Sequence, residues 1–303
     1  MLSRVLVQAK VYGLILSHPL NAGRKVAATK RWLGWHIGSR LVPGPVATPF
    51  VNDTMLLISP GMVGATFSLY NGLAEFSDMA FVLHALRPED LFLDIGANVG
   101  VYTILASAAV GATTISVEPL PATYEKLRRN IALNQVAARV ESLNIAVGAG
   151  HGSARITQDY DATNHILAAG ENVRSCEIQL STIDDIVASR VPALMKIDIE
   201  GYELPALEGA KSTLSRSELR AIVIELNGSG ARYGFEENLI AKMLADHGFR
   251  PVGYDPFSRT LTLRERNMLH SSGDNSIFVR DIDAMQLALK HAPTYKMSTG
   301  QRL

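Results

Sequence analysis

The chain has 303 residues, 47% hydrophobic and 19% charged, enough for one large core or a core with a small accessory region. Lysine and arginine total 29, as do aspartate and glutamate, so the formal net charge is zero and no overall field favours nucleic acid. A single cysteine, Cys176, excludes an internal disulfide and any site built from several cysteines, which suits a reducing compartment.

The first 50 residues differ in charge from the rest of the chain, because no acidic residue precedes Asp53. The basic residues of this segment are Arg4, Lys10, Arg24, Lys25, Lys30, Arg31 and Arg40. We expect residues 1–50 to form a basic, helical N-terminal extension. Trp32 and Trp35 either pack on the core, which we favour, or lie with the neighbouring cations on an anionic membrane surface.

The apolar stretch at residues 11–23 is interrupted by Ser17, His18 and Pro19. It resembles a secretory signal only weakly, and it is far shorter than the roughly 20 apolar residues of a membrane span. We therefore expect a cytoplasmic protein.

A segment rich in proline and glycine, residues 42–49, marks the expected start of the next unit. We predict a catalytic domain over residues 51–285 and a C-terminal tail over residues 286–303. "TMLLIS" and "ATFSLY" predict two strands around the turn "PGMVG", and the apolar stripe of residues 72–86 predicts a helix.

Strands and helices then alternate regularly from "LFLDIG" at residue 91 to "NSIFVRD" at residue 275. The alternation predicts a Rossmann-like α/β fold, with a mostly parallel sheet covered by helices on both faces. Ligands of such sheets bind at the carboxyl ends of the strands.

The turn in "FLDIGANVGVYTILAS" joins the first of these strands to its helix. Its glycines, Gly96 and Gly100, do not have the GxGxxG spacing of a dinucleotide site, and no GK[ST] follows as in a P-loop. Asp94 at the strand end would repel a pyrophosphate, but it suits a ligand with ammonium and sulfonium groups. S-adenosylmethionine is such a ligand.

A second acid, Glu118, ends the next strand, 22 positions after Gly96. In these folds an acid at this place accepts hydrogen bonds from the ribose hydroxyls of a nucleoside. Asp94 and Glu118 at adjacent strand ends therefore predict an adenosine ligand with a positively charged tail.

Four segments resemble the successive motifs of the FkbM family of class I S-adenosylmethionine-dependent methyltransferases. They are "FLDIGANVGVYTILAS", "VEPLPATYEKLRRNIALN", "IAVGAGHG" and "LMKIDIEGYELPALEGA", and the match extends over roughly residues 60–280. The resemblance implies a seven-strand sheet with one reversed strand at its edge. It also implies methyl transfer to an oxygen of a macrolide, a sugar or a similar metabolite.

The same resemblance assigns the cofactor positions to Asp94, Gly96, Asn98, Gly100 and Glu118. Asn164 also resembles a family position. The first 50 residues lie outside the match.

Methyl transfer to an alcohol needs an aligned acceptor oxygen and a base for its proton. Candidates for the base are His165, which needs the smallest change in pKa, and the acids Asp198, Glu200 and Glu225 at two later strand ends. Asp198 is also a candidate for holding the amino group of the cofactor.

Oxygen ligands at two neighbouring strand ends, Asp198, Glu225 and Asn227, would suit Mg²⁺ or Ca²⁺. A metal would activate a coordinated hydroxyl. We favour a metal-free site, in which these residues contact cofactor and substrate.

The polar segment from Gly150 to Gly170 contains Tyr160, Asn164 and His165, side chains suited to hydrogen bonds with a hydroxylated small molecule or a glycan acceptor. Glu75, with Tyr70, is expected to close the cofactor pocket from the N-terminal side.

Other functions on the same fold are a nucleic-acid or protein N-methyltransferase and a cofactor-binding module without catalysis. Nucleic-acid amino methyltransferases carry an Asn/Asp-Pro-Pro-aromatic turn where this chain has "DIEG". The neutral net charge also argues against extended nucleic-acid binding.

Overall fold

The computed structural model describes residues 2–42, 44–264 and 275–303. Two helices open the chain, α1 (Leu2–Ser17) and α2 (Lys25–Leu41), and form a helical hairpin. Among the described residues, no helix is long and apolar enough to cross a membrane.

The hairpin leads to a small antiparallel sheet and two further helices. The strands are β1 (Val46–Pro49) and β2 (Met55–Ile58), and the helices are α3 (Val63–Asn71) and α4 (Phe76–Ala85). The prediction of a strand over "ATFSLY" was wrong, because these residues lie in α3. Tyr70 packs against the hairpin, so a tertiary contact overrides the strand propensity of this segment.

The central sheet begins after α4. Its first strands and connecting helices are β3 (Leu91–Ile95), α5 (Val101–Ile104) with a π-helical continuation (Leu105–Val110), β4 (Thr113–Val117), α6 (Pro121–Leu133) and β5 (Val140–Leu143). The segment "RVESLNIAVG", residues 139–148, is divided between this sheet and a second one.

The second sheet has three strands, β6 (Ala146–Val147), β7 (Gly152–Thr157) and β8 (Ser175–Ser181), in the order β6-β8-β7. Part of the polar segment that begins at Gly150 therefore forms the strand β7, and a 3-10 turn (Asp161–Thr163) follows it.

The remaining elements complete the central sheet. They are α7 (Ile183–Val187), β9 (Leu194–Ile197), α8 (Glu203–Glu208), α9 (Lys211–Leu214), β10 (Ala221–Glu225), a 3-10 segment (Ser229–Tyr233), α10 (Glu237–Asp246), β11 (Arg250–Asp255), β12 (Thr260–Leu263), β13 (Asn275–Val279) and α11 (Ile282–Lys290).

The strand order of the central sheet is β12-β11-β13-β10-β9-β3-β4-β5, with β10, β9, β3, β4 and β5 parallel. The Rossmann-like α/β class is confirmed. The sheet has eight strands rather than seven and two reversed strands rather than one: β13 lies between β10 and β11, and β12, which is antiparallel to β11, lies at the edge as predicted. All five residues of β13 are buried, which suits a strand paired on both sides, and the added strand β12 forms the edge.

Side chains alternate between the two faces of the sheet. Phe92 and Leu194 pack against α4, α6 and α11, whereas Leu93 and Met195 pack against α7, α8 and α10. Residues after α11 pack into the first of these layers through Tyr295, Met297 and Leu303. The boundary predicted between residues 285 and 286 falls within α11.

Candidate active site

A cavity of about 310 Å³ lies at the carboxyl ends of β3, β4, β9 and β10. The start of α3 and the segment around residues 161–166 line its other sides. Residues far apart in sequence meet here because parallel strands present their carboxyl ends at one edge of the sheet.

The turn after β3 forms the floor of the cavity. Gly96 has a φ of +77°, and a Cβ at this position would lie 1.8 Å from the Asp198 carbonyl oxygen. Asn98 also adopts a left-handed conformation, with a φ of 50°. The turn can approach the end of β9 this closely only because Gly96 has no side chain.

Glu118 follows β4 and lines the cavity beside this turn. Its Oε2 accepts the Asn98 backbone N–H at 3.0 Å, and its Oε1 accepts the Leu120 backbone N–H at 2.9 Å. Burial raises the pKa of this carboxyl to about 7. Each carboxylate oxygen retains a lone pair that could accept a ligand hydroxyl.

On the other side of the turn, β9 and β10 end in an acidic cluster, Asp198, Glu200 and Glu225. Each residue offers a carboxylate oxygen, and these oxygens lie within 4.8 Å of one another. Burial and the Asp198 charge raise the pKa of Glu200 to about 7, and the same causes hold that of Glu225 well above its usual range. The cluster therefore holds protons that isolated carboxylates would release at neutral pH.

Lys196 supplies the positive charge next to this cluster. Its Nζ donates to Asp198 Oδ2 at 2.8 Å, although its side chain is only 3% exposed. Burial by itself would lower the pKa of the ammonium, but the surrounding carboxylates, Asp198 first, outweigh burial and raise it. Lys196 therefore carries its charge at the wall of the cavity.

Glu75 lines the cavity from the start of α4. Its Oε2 accepts hydrogen bonds from Tyr102 Oη at 2.5 Å and from Asn275 Nδ2 at 2.7 Å. Burial raises the pKa of the Glu75 carboxyl. Tyr70, expected to act with Glu75, is buried instead against the helical hairpin.

His165 reaches the cavity from the polar segment after β7. Its Nδ1 lies 3.0 Å from the Thr163 carbonyl oxygen, and its Nε2 lies 3.3 Å from Glu171 Oε1. Both ring nitrogens thus face acceptors, whereas a neutral imidazole can donate from only one. Both ring nitrogens are thus engaged by neighbouring residues of the protein.

Asn164 lines the cavity but uses its amide within its own loop. Its Oδ1 accepts from Thr157 Oγ1 and the Tyr160 backbone N–H, and its Nδ2 donates to the Asp161 carbonyl. Its contacts hold the shape of the loop.

Most of the residues singled out in the sequence converge on this cavity. Those that line it are Glu75, Gly96, Asn98, Glu118, Asn164, His165, Asp198, Glu200 and Glu225.

Besides Tyr70, four residues lie outside the lining. Asp94 is fully buried behind the turn, where its Oδ2 accepts from Thr103 Oγ1 at 2.6 Å. Gly100, with a φ of +93°, packs against Leu127. Tyr160 is largely exposed and stacks on His165.

The fourth is Asn227, an exposed residue whose Oδ1 accepts the Ser229 backbone N–H at 2.9 Å. Among the described residues, the acidic side chains close enough to share a cation are Asp198, Glu200 and Glu225.

The sequence reasoning missed Lys196, Tyr102 and Asn275. The sequence does indicate Lys196, because it lies two residues before Asp198 and alternate residues of a strand share a face. The contact of Asn275 with Glu75 spans 200 residues, and no local pattern indicates it.

The Methyltransferase FkbM domain family matches residues 94–251, just over half of the chain. The 31-O-demethyl-FK506 methyltransferase FkbM of Streptomyces tacrolimicus is 28% identical over 217 residues, 58% of this chain and 80% of that protein. The hexuronic acid methyltransferase AglP of Haloferax volcanii is 22% identical over 237 residues, 74% of this chain and 88% of that protein.

A crystal structure of Methyltransferase FkbM from Methylobacillus flagellatus KT superposes with a TM-score of 0.44 and 14% identity, over 84% of this chain and 60% of that one. The family match includes the carboxyl ends of β3, β4, β9 and β10, at which the cavity lies. The chain therefore belongs to the FkbM family of methyltransferases.

Proposed function

We propose that this enzyme binds S-adenosylmethionine in the cavity and transfers its methyl group to a hydroxyl oxygen of a sugar, a glycan precursor or another small hydroxylated metabolite. One observation carries the proposal: Glu118 lies on one side of the Gly96 turn, and the Asp198, Glu200 and Glu225 carboxylates lie on the other, around a single cavity. When bound, the cofactor supplies a methyl group already activated on a sulfonium centre.

The residues at the turn fit the nucleoside half of this cofactor. The absence of a Cβ at Gly96 leaves room for close approach, and Glu118 has lone pairs available for the two ribose hydroxyls. Burial of Glu118 makes such hydrogen bonds stronger than they would be in water. We therefore assign Gly96, Asn98 and Glu118 to the nucleoside.

The acidic side of the cavity fits the cationic half. Asp198 and Glu75 lie where an ammonium or sulfonium group would be attracted by their charge. Asp94 acts on the cofactor indirectly, because it is buried behind the turn and interacts electrostatically with Lys196.

Glu200 is the base that the geometry favours. It lines the cavity, and its pKa of about 7 allows it both to accept and to release a proton near neutral pH. Glu225 stays protonated beside it and can donate a hydrogen bond to the acceptor oxygen. His165 then has a positioning role, since both its ring nitrogens are engaged.

The acceptor enters on the side of the polar segment. Asp161, Asn164 and His165 line the cavity there. The names of the two relatives refer to methylation at an oxygen of FK506 and to a hexuronic acid, and these names support a hydroxylated acceptor. No step of this proposal requires a metal ion.

Calorimetric titration of S-adenosylmethionine and S-adenosylhomocysteine into the purified protein tests the cofactor assignment without knowledge of the acceptor. Wild-type protein should bind both, and Glu118→Ala should weaken binding about 10- to 100-fold, or about 1 to 3 kcal/mol, through unpaired ribose hydroxyls. Glu118→Gln should lose less affinity than Glu118→Ala, since glutamine keeps one acceptor oxygen.

The matched control is Glu125→Ala, which removes an exposed carboxylate of α6 that contacts Arg128 and Arg129. It should bind as the wild type does. Absence of binding by a folded wild-type protein would overturn the proposed function. Release of S-adenosylhomocysteine in a screen of glycosides and polyols then identifies the acceptor class.

A further inference from the structure

The outer face of the helical hairpin is apolar and cationic at once. Val26, Lys30, Leu33, Ile37 and Leu41 recur along α2 at intervals of three and four residues, so they share one face. The four apolar members of this stripe are between 45% and 75% exposed. In the described part of the chain, seven of the fifteen exposed large hydrophobic side chains lie within residues 7–42.

The two helices contribute jointly to this surface. Val7 of α1 lines one groove with Leu33, Ile37 and Arg40 of α2. Trp32 lines this groove as well, and both Trp32 and Trp35 pack against the inner cluster of Ile15, Ala28 and Tyr70. The hairpin is thus attached to the enzyme by its inner face, and its outer face is uncovered.

The charge of the surface decides what can cover it. Lys30 lies within the stripe, Lys25 begins α2 and Lys10 lies on α1; all three are exposed, and no ion pair in the described residues involves them. Since the chain has no acidic residue before Asp53, nothing on the hairpin neutralises them. Arg24 and Arg31, in contrast, donate to the backbone carbonyls of Thr299 and Tyr70.

Two other occupants fit less well. A second copy of the chain, related by a two-fold axis, would bring these lysines close to their own counterparts. A nucleic-acid backbone would meet the lysines but would leave the aliphatic stripe in water. Aliphatic side chains between lysines match the interface of an anionic bilayer, where acyl chains and acidic headgroups lie at adjacent depths.

We propose that the outer face of the α1–α2 hairpin docks on anionic membranes, with Leu33, Ile37 and Leu41 in the headgroup region and Lys10, Lys25 and Lys30 on the acidic headgroups. α3 connects this surface to the active site. Its first residues line the cavity, whereas Tyr70 near its end packs on the hairpin. α3 has nine residues and is about 13 Å long, so the cavity of the docked enzyme would lie about this distance from the hairpin.

Flotation of the full-length protein with vesicles tests the proposal. Protein should float with vesicles of phosphatidylcholine and phosphatidylglycerol in equal parts, much less with phosphatidylcholine alone, and less at high salt. The triple variant Lys10→Gln, Lys25→Gln, Lys30→Gln should weaken binding about 100-fold, or about 5-fold per lysine. Leu33→Ser with Ile37→Ser should weaken it about tenfold or more.

Matched controls change the same residue types elsewhere. Lys211→Gln, Lys290→Gln, Lys296→Gln removes three exposed lysines, and Leu239→Ser with Leu287→Ser removes two exposed leucines. Both should bind as the wild type does. Equal binding to neutral vesicles, equal losses in the controls, or self-association without vesicle binding would each overturn the proposal.

Discussion

Lys196 Nζ lies 2.8 Å from Asp198 Oδ2, and both side chains line the cavity at the carboxyl end of β9. Lys196 is almost fully buried and also faces the buried carboxyls of Asp94 and Glu75. One ammonium therefore balances carboxylates contributed by three different elements, and this balance has measurable consequences.

Lys196→Met should destabilise the fold by about 3 kcal/mol at neutral pH, because it leaves the Asp198 and Asp94 carboxyls without their cation. Urea unfolding measures this loss. Lys242→Met is the control, since its ion pair with Asp246 is more than 60% exposed on both sides and should change stability by about 0.5 kcal/mol or less. Similar losses in the two variants would contradict the structural role of Lys196.

Glu200→Gln should lower kcat about 10²- to 10⁴-fold and change KM little, once an acceptor is known, because the variant cannot take the hydroxyl proton. Since the base acts when deprotonated, the wild-type rate should rise with pH through about 7 and then level. The variant should lose this rise. Glu208→Gln, an exposed acid at the end of α8, should keep both the rate and the profile.

Gly96→Ala should destabilise the protein by several kcal/mol, because the added Cβ would collide with the Asp198 carbonyl at a positive φ. Thermal unfolding is the measurement. Gly34→Ala is expected to act in the opposite direction and stabilise by about 0.5 to 1 kcal/mol, since Gly34 lies in α2 with open space around its Cβ position. A destabilisation of equal size at both positions would contradict the close approach of the turn to β9.

Stability should fall as pH rises above about 4.5 through the contribution of Glu225, whose folded-state pKa lies well above that usual value. Below this pH both states hold the proton. Above it the unfolded state ionises first and is favoured, until the folded group also ionises.

Glu225→Gln cannot ionise, so it should be more stable than the wild type by about 1 to 3 kcal/mol at about pH 8 and nearly equal at about pH 4.5. Urea unfolding at these two pH values tests the sign. A stabilisation that does not grow with pH would show that Glu225 is ionised in the folded protein.

Methyl transfer should survive excess EDTA unchanged. The acidic cluster has the oxygen atoms for a divalent cation, but burial and neighbouring carboxylates raise the pKa values of Glu200 and Glu225 and so disfavour their charged forms, which are the ones that bind metals. The assay is the rate in metal-depleted buffer with and without added Mg²⁺. A rate that falls on chelation and returns with Mg²⁺ would assign a metal to Asp198, Glu200 and Glu225.

Local patterns in the sequence predicted the fold class, the family and the strand ends at which the cavity lies. The periodicity of apolar residues shows where strands and helices alternate. The turn after β3 is recognisable because Gly96 has a positive φ and no room for a Cβ. Asp198 and Glu118 were identifiable because an acid at a strand end stands out against an apolar strand. These features depend on residues within one element or its next turn.

Pairings between distant elements were decided by the tertiary structure. The insertion of β13 between β10 and β11, the helix over "ATFSLY" and the contact of Asn275 with Glu75 all depend on packing partners far away in the chain. The ionisation of the acidic cluster depends on the burial of Glu225 and on the position of Lys196 beside Asp198, because pKa values respond to charges in space.

The sequence by itself therefore determined that the chain is a Rossmann-like methyltransferase of the FkbM family, since local spacing and residue type record strand ends and tight turns. Only the tertiary structure decided that Asp94 lies behind the cavity, that both nitrogens of His165 are engaged, and that Lys196 faces three carboxyls. Each of these facts is a relation between side chains brought together by the folding of the sheet.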